Sequence, residues 1–140
     1  MRKISYLLMA LAMLATVGFT TLTTNASADE TVADFTIARM VVCTDVINKE
    51  PVLGSEETFA LSLGKVYCFL EAREIKKDTD ITIVWIHEGA TKATIPLHIK
   101  KGWRWRTYSS KKLGNMSGNW MVEIHDANGT MLDSINFVVK

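Results

Sequence analysis

Cysteine and proline are scarce in this chain, two of each in 140 positions. The two cysteines, Cys43 and Cys68, have no Cys-x-x-Cys spacing, which disfavours a reactive-thiol role. No apolar run reaches the roughly 18 residues of a comfortable membrane span. No stretch sustains the apolar period of an amphipathic helix, and there is no internal repeat or low-complexity segment. Histidine occurs three times, as His87, His98 and His125, without a His-x-x-x-His or Glu-flanked pair, which leaves no metal motif. Cationic excess is missing too, since 16 Lys plus Arg stand against 15 Asp plus Glu. Nothing in that balance draws the chain to nucleic acid or to anionic lipid.

What is present begins with a leader. Arg2 and Lys3 precede an apolar run from Tyr6 to Phe19, and a Thr-rich stretch closes on Ala26-Ser27-Ala28. This is the layout of a signal peptide over residues 1–28, with cleavage expected before Asp29. The rival arrangement is an uncleaved anchor, which the shortness of the run disfavours. No Cys follows the run directly, so lipid attachment is not expected. Removal of the leader takes two cations and no acid, leaving 14 Lys plus Arg against 15 Asp plus Glu and a net charge of −1. Residues 29–140 are enough for one hydrophobic core and predict a single domain, exported to the periplasm or beyond the cell.

Export to an oxidising compartment predicts a Cys43–Cys68 disulfide. In the chain-entropy account a loop of about 25 residues closed this way contributes roughly 3.5 kcal/mol. The alternative is a pair of buried free thiols.

Short apolar alternations separated by Gly, Asn, Asp and Lys clusters set a strand-and-turn rhythm. Seven strands are expected. The first runs from Phe35 to Val46 with Phe35, Ile37, Val41 and Cys43 on one face. A loop from Asn48 to Gly64 follows, with room for a short strand or helical turn near Phe59–Leu63. Then come Lys65–Ala72, Asp80–Glu88, Thr91–Ile99 and Trp103–Ser109, an irregular stretch to Gly118, and a hairpin of Asn119–Asp126 and Met131–Val139 turned by Ala127-Asn128-Gly129. Pro96 cannot donate to a ladder, so Thr91–Ile99 belongs at a sheet edge or carries a bulge. This pattern predicts an all-β, antiparallel sandwich of immunoglobulin-like type.

Several segments carry a resemblance. The run Trp105-Arg106-Thr107-Tyr108-Ser109-Ser110-Lys111, then Gly118-Asn119-Trp120-Met121-Val122-Glu123-Ile124, then Asp126-Ala127-Asn128-Gly129 and Phe137, resembles the bacterial family known as domain of unknown function 2914. Upstream, Cys43-Thr44-Asp45-Val46, Glu50-Pro51-Val52 and Val66-Tyr67-Cys68-Phe69 are similar to it as well, so the resemblance spans about Ile37 to Val139. Members often place a His two residues before the Trp of the third strand, where this chain has Ile83. The resemblance implies a compact β domain and a bacterial envelope setting, and it brings no catalytic residues.

The candidate ligand-binding residues are Trp103, Arg104, Trp105, Arg106 and Tyr108. Strand alternation sets Trp103, Trp105 and Thr107 on one face and Arg104, Arg106 and Tyr108 on the other. An exposed Trp face would stack on sugar rings or an apolar partner. An exposed Arg and Tyr face would suit a carboxylated glycan or an acidic protein. The plainer arrangement has Trp105 in the core and the arginines solvated over packed stems. Trp85 and Trp120 are expected in the core. In a hairpin centred near Gly89, His87 pairs with about Lys92 and His98 with about Ile81, which sets the two imidazoles on the order of 20 Å apart. Ser109-Ser110-Lys111-Lys112 matches Ser-x-x-Lys, but it ends a strand rather than starting a helix and lacks the companion motifs of acylating enzymes. Glu56, Glu57, Glu71, Glu74 and Glu88 show no pairing for acid and base chemistry. Asn115-Met116-Ser117 and Asn128-Gly129-Thr130 match glycosylation sequons, a weak signal in a bacterial chain. No catalytic residue, cofactor or metal is assigned.

The function expected from these residues is that of a non-catalytic exported envelope protein, an interaction module for an unknown protein or glycan. One competitor is an enzyme or accessory domain acting on envelope carbohydrate or peptide. Another is a structural subunit that pairs the edge strand Thr91–Ile99 with a partner.

Overall fold

A computed structural model describes residues 33–53 and 57–140, which fall within one compact unit. The expected leader and its cleavage site lie outside the described residues, as does Glu56. None of the described helices is long and apolar enough to cross a membrane. The strands are β1 (Thr36–Cys43), β2 (Asp45–Ile47), β3 (Glu50–Val52), β4 (Thr58–Phe59), β5 (Lys65–Ile75), β6 (Thr79–His87), β7 (Ala90–Ile99), β8 (Gly102–Lys112), β9 (Gly118–His125) and β10 (Met131–Val139), with one turn of 3-10 helix at Leu61–Leu63.

Seven of these are long, and they form two sheets. One has the order β1-β5-β8; the other has the order β4-β10-β9-β6-β7, in which the two-residue β4 runs parallel to β10 and the remaining pairs are antiparallel. Strands β5 and β6 are consecutive yet lie in different sheets, as do β7 and β8, and β8 and β9. Counted over the seven long strands, the chain therefore crosses between layers three times in a Greek-key sandwich of the immunoglobulin-like kind. A third ladder, β2-β3, is a small hairpin.

Alternation explains the core. Ile81, Ile83 and Trp85 of β6, Trp120, Val122 and Ile124 of β9, and Phe137 and Val139 of β10 face Cys68, Leu70 and Ala72 of β5 across the layers, all essentially inaccessible. Phe137 stacks on Trp120 with centroids 6.0 Å apart and meets Trp85 edge-on at 6.3 Å. The Trp85 indole N–H donates to the Ser109 hydroxyl at 3.3 Å, and that of Trp120 to the Met116 carbonyl at 2.8 Å. Both tryptophans are core, as expected. Ser109 is a buried partner of Trp85, which accounts for it without acylation chemistry. Pro96 lies on β7, whose described ladder partner is β6 alone, at the edge of the larger sheet.

Two expectations are corrected. The first concerns β1, whose register slips between Ile37 and Arg39. The extra residue reverses the alternation, so Met40 and Val42 join the inner face while Val41 and Cys43 turn outward. The second follows from it. Cys68 pairs with Val42 and lies in the core, whereas Cys43 pairs with Tyr67 on the opposite face of the same sheet. Neighbouring residues of a strand point to opposite faces, so the two thiols diverge and the predicted Cys43–Cys68 disulfide does not form. Both cysteines are free and buried. Cys43 is within hydrogen-bonding reach of backbone at Asp45 and Val52, and burial pushes its thiol up to about 11. Burial pushes Cys68 up to about 12.

The segment expected as a loop from Asn48 to Gly64 is more structured than its sequence suggests. Asn48 and Lys49 both take positive φ, at 52° and 60°, and so make the two-residue turn that joins β2 to β3. Glu88 and Gly89 do the same between β6 and β7, at 48° and 78°.

Candidate functional site

The outer face of the β1-β5-β8 sheet carries the most concentrated chemistry among the described residues. Its register sets Arg39 beside Glu71 and Glu71 beside Arg106, with Arg73 beside Arg104 and Phe69 beside Tyr108. Alternation from Glu71 therefore brings Arg39, Arg73, Arg104 and Arg106 to one surface. The β2-β3 hairpin adds Glu50 at its margin.

Glu71 is only 3% exposed, and two guanidinium groups hold it: Arg73 at 2.7 Å and Arg104 at 2.9 Å, with Arg39 at 3.8 Å. Glu50 accepts from Arg39 at 2.8 Å and from Arg106, and lies 3.7 Å from Arg104. Burial alone would raise the Glu71 carboxyl, but the bonds from Arg104 and Arg73 outweigh it and leave it below the usual carboxylate range. For Glu50 the Arg39 bond is the foremost cause of a similar depression, helped by Arg106. Both carboxylates are ionised at neutral pH, so four cations face two anions and the patch keeps a local charge of +2. A concavity of about 320 Å³ opens here, lined by Ala38, Arg39, Glu50, Glu71, Arg73 and Arg104.

Aromatic groups extend the patch. The Arg39 guanidinium sits 4.8 Å above the Phe69 ring, a cation–π contact that also covers a buried apolar side chain. Tyr108 is 46% exposed, and its ring is tilted against Tyr67 at 5.9 Å.

Of the residues singled out by sequence, Arg104, Arg106 and Tyr108 share this face. Trp105 does not: it pairs with Ala72 and packs against the core from the inner side. Trp103 shares its parity but is 67% exposed, because it lies between the Arg73–Arg104 and Ile75–Gly102 pairs at the start of β8. The two indoles are thus split between core and solvent and form no joint platform. Sequence reasoning missed Arg39, Arg73, Glu50 and Glu71. The alternation Tyr67, Phe69, Glu71, Arg73 along β5 was a usable signal for two of them. The slip in β1 and the return of the hairpin, which bring in Arg39 and Glu50, leave no mark in composition.

The histidines lie apart. His87 contacts the Ser117 carbonyl at 2.7 Å beside the β6-β7 turn, whereas His98, paired in register with Asp80, contacts that carboxylate at 2.8 Å at the far end of the same hairpin. His125 contacts Glu123 at 2.6 Å. No group of three His, Cys, Asp or Glu among the described residues is placed to hold a metal. A larger depression of about 520 Å³ is lined by Glu57, Asn119, Trp120, Asn136, Phe137 and Val138. Among the described residues that line it, Glu57 is the one carboxylate, and none is a His, Lys, Ser or Cys.

A family model described as "Protein of unknown function (DUF2914)" matches residues 78–139, from just before β6 to the end of β10. The matched stretch starts later than the resemblance near Ile37 suggested, and β1 to β5 lie outside it. No curated protein matches the chain. Among solved structures, a β-glucosidase from Kluyveromyces marxianus is 10% identical over 54% of this chain and 13% of its own, with a TM-score of 0.42. A β-glucosidase from Listeria innocua in complex with glucose is 8% identical over 75% of this chain and 16% of its own, with a TM-score of 0.46. Its D270A mutant with laminaribiose gives 8%, 76%, 16% and 0.45. This chain spans less than a fifth of the length of either enzyme, and likeness at that level assigns no activity.

Proposed function

We propose that this chain, whose residues 78–139 match a family model described as of unknown function, is a non-catalytic, exported envelope module that binds an acidic ligand on the outer face of β1-β5-β8. The observation that carries this reading is the convergence of Arg39, Arg73, Arg104 and Arg106 on two carboxylates, with two positive charges left over beside an exposed tyrosine. Arginine forks suit planar carboxylates, and an aromatic neighbour adds area at low entropic cost. An isolated surface ion pair contributes about 0–1 kcal/mol, so stability alone is a poor reason to gather four arginines here.

The test is a nuclear magnetic resonance titration of the full chain with acidic oligomers at low salt. Amide shifts are expected along β5 and β8, weakening as added salt screens the charges, and disappearing when Arg104 and Arg106 are both changed to Gln. Shifts confined to the other sheet would refute the assignment.

Edge pairing is a second reading, favoured by the position of β7 at the border of the larger sheet. Against it, Pro96 and Lys92 interrupt that edge. Crosslinking in whole cells that leaves the protein monomeric would count against this reading.

A further inference from the structure

We infer that the Glu50 carboxylate is an internal substitute for the ligand's own, and that Arg39, Arg104 and Arg106 form a socket for one carboxylate of a uronic-acid oligosaccharide, with Tyr108 receiving the adjoining sugar ring. This deepens the binding-face reading above and rests on it.

The two carboxylates of the cluster differ in kind. Glu71 rises from the central strand of its sheet, is almost wholly covered, and is held by Arg73 and Arg104; it is a fixed part of the face. Glu50 is half exposed, comes from a three-residue strand paired only to another three-residue strand, and reaches arginines on both β1 and β8. A short hairpin thus delivers a carboxylate into a trio of guanidinium groups that belong to the rigid sheet. Surface pairs of this kind exchange readily, because water and a competing anion can replace each bond. A ligand carboxylate has the same planar shape and charge as the group already there, and can take over its contacts with Arg39 on one oxygen and with Arg106 and Arg104 on the other.

Tyr108 lies two residues from Arg106 on the same face of β8, about 7 Å along the strand. Its exposed ring, braced by Tyr67, is the apolar surface a pyranose needs beside its acid group. An acidic peptide would use the arginines but gain nothing specific from that ring, so the glycan is favoured.

Calorimetry with trigalacturonate, its uncharged methyl ester and a glutamate oligomer, on the full chain, separates the possibilities. Glu50→Gln is expected to bind trigalacturonate about tenfold more tightly than the parent, since the competing charge is gone. Tyr108→Ala is expected to bind it several-fold more weakly, and the ester not at all. Carbon NMR of the glutamate carboxyls supplies a readout that needs no variant: at saturation the Glu50 signal should titrate in the ordinary range while Glu71 stays depressed. The substitute role is overturned if Glu50→Gln binds no better, or if the Glu50 carboxyl stays depressed in the saturated complex. Binding of the glutamate oligomer with trigalacturonate inert overturns the glycan while leaving the binding face intact. Failure of every acidic ligand on both parent and Glu50→Gln overturns both readings.

Discussion

Glu71 is the residue on which the outer face turns, because it is the covered anion among exposed cations. Its folded carboxyl titrates below the usual range, so it favours the folded state at pH above its unfolded value, near 4.5, and that contribution is lost as the pH falls through the lower folded value. Unfolding followed from pH 7 to 2 is expected to show a loss of stability below about pH 4.5 that Glu71→Gln flattens. Glu71→Gln also removes the counter-charge of Arg73 and Arg104, at a cost of about 1–3 kcal/mol at neutral pH. The thiols behave in the opposite sense. Raised to about 11 and about 12, they favour the folded state below their ordinary 9.0, and this contribution is lost as the pH climbs through the raised values. Neither thiol is expected to react with an aromatic disulfide reagent under native conditions near pH 8, and both should react in denaturant. Fast native labelling of either would contradict their burial.

At the scale of elements, the β6-β7 turn is latched to the start of β9. The Glu88 amide donates to the Asn119 carbonyl at 2.9 Å, and the Glu88 carboxylate accepts from the Asn119 amide at 2.7 Å. Gly118 permits this, having φ of 111° and no Cβ where the Glu88 carboxylate lies. Gly118→Ala is expected to cost about 1–3 kcal/mol, from backbone strain and displacement of Glu88, measurable by urea denaturation. The β9-β10 turn was legible beforehand because its chemistry is local: the Asp126 carboxylate accepts from the Asn128 and Thr130 amides, both at 2.9 Å, and Gly129 takes positive φ. The Asn48-Lys49 turn was not, since neither residue is the glycine that usually marks such a turn. The slip in β1 was hidden for a different reason. A bulge is a choice between registers, made by the partner strand, and the apolar residues around Ile37 fit either one.

For the whole molecule, the two sheets share one core, with Trp85, Trp120 and Phe137 in contact at its centre. A single cooperative unfolding transition is expected, with a midpoint unchanged by reductant, because no bond between the cysteines exists to be broken. A midpoint that fell on reduction would mean the sulfurs had paired after all. The sequence by itself determined the strand class, most of the hairpins, the core tryptophans and the shared parity of Arg104, Arg106 and Tyr108, because all of these follow from the two-residue period of a strand and from turn chemistry confined to a few neighbours; which face of that strand meets solvent it left open. The tertiary structure alone decided that the cysteines face apart and that Arg39, Glu50, Glu71 and Arg73 join the same patch. Those outcomes depend on register between strands distant in the chain, and register is fixed by packing across the sheet rather than by any local pattern.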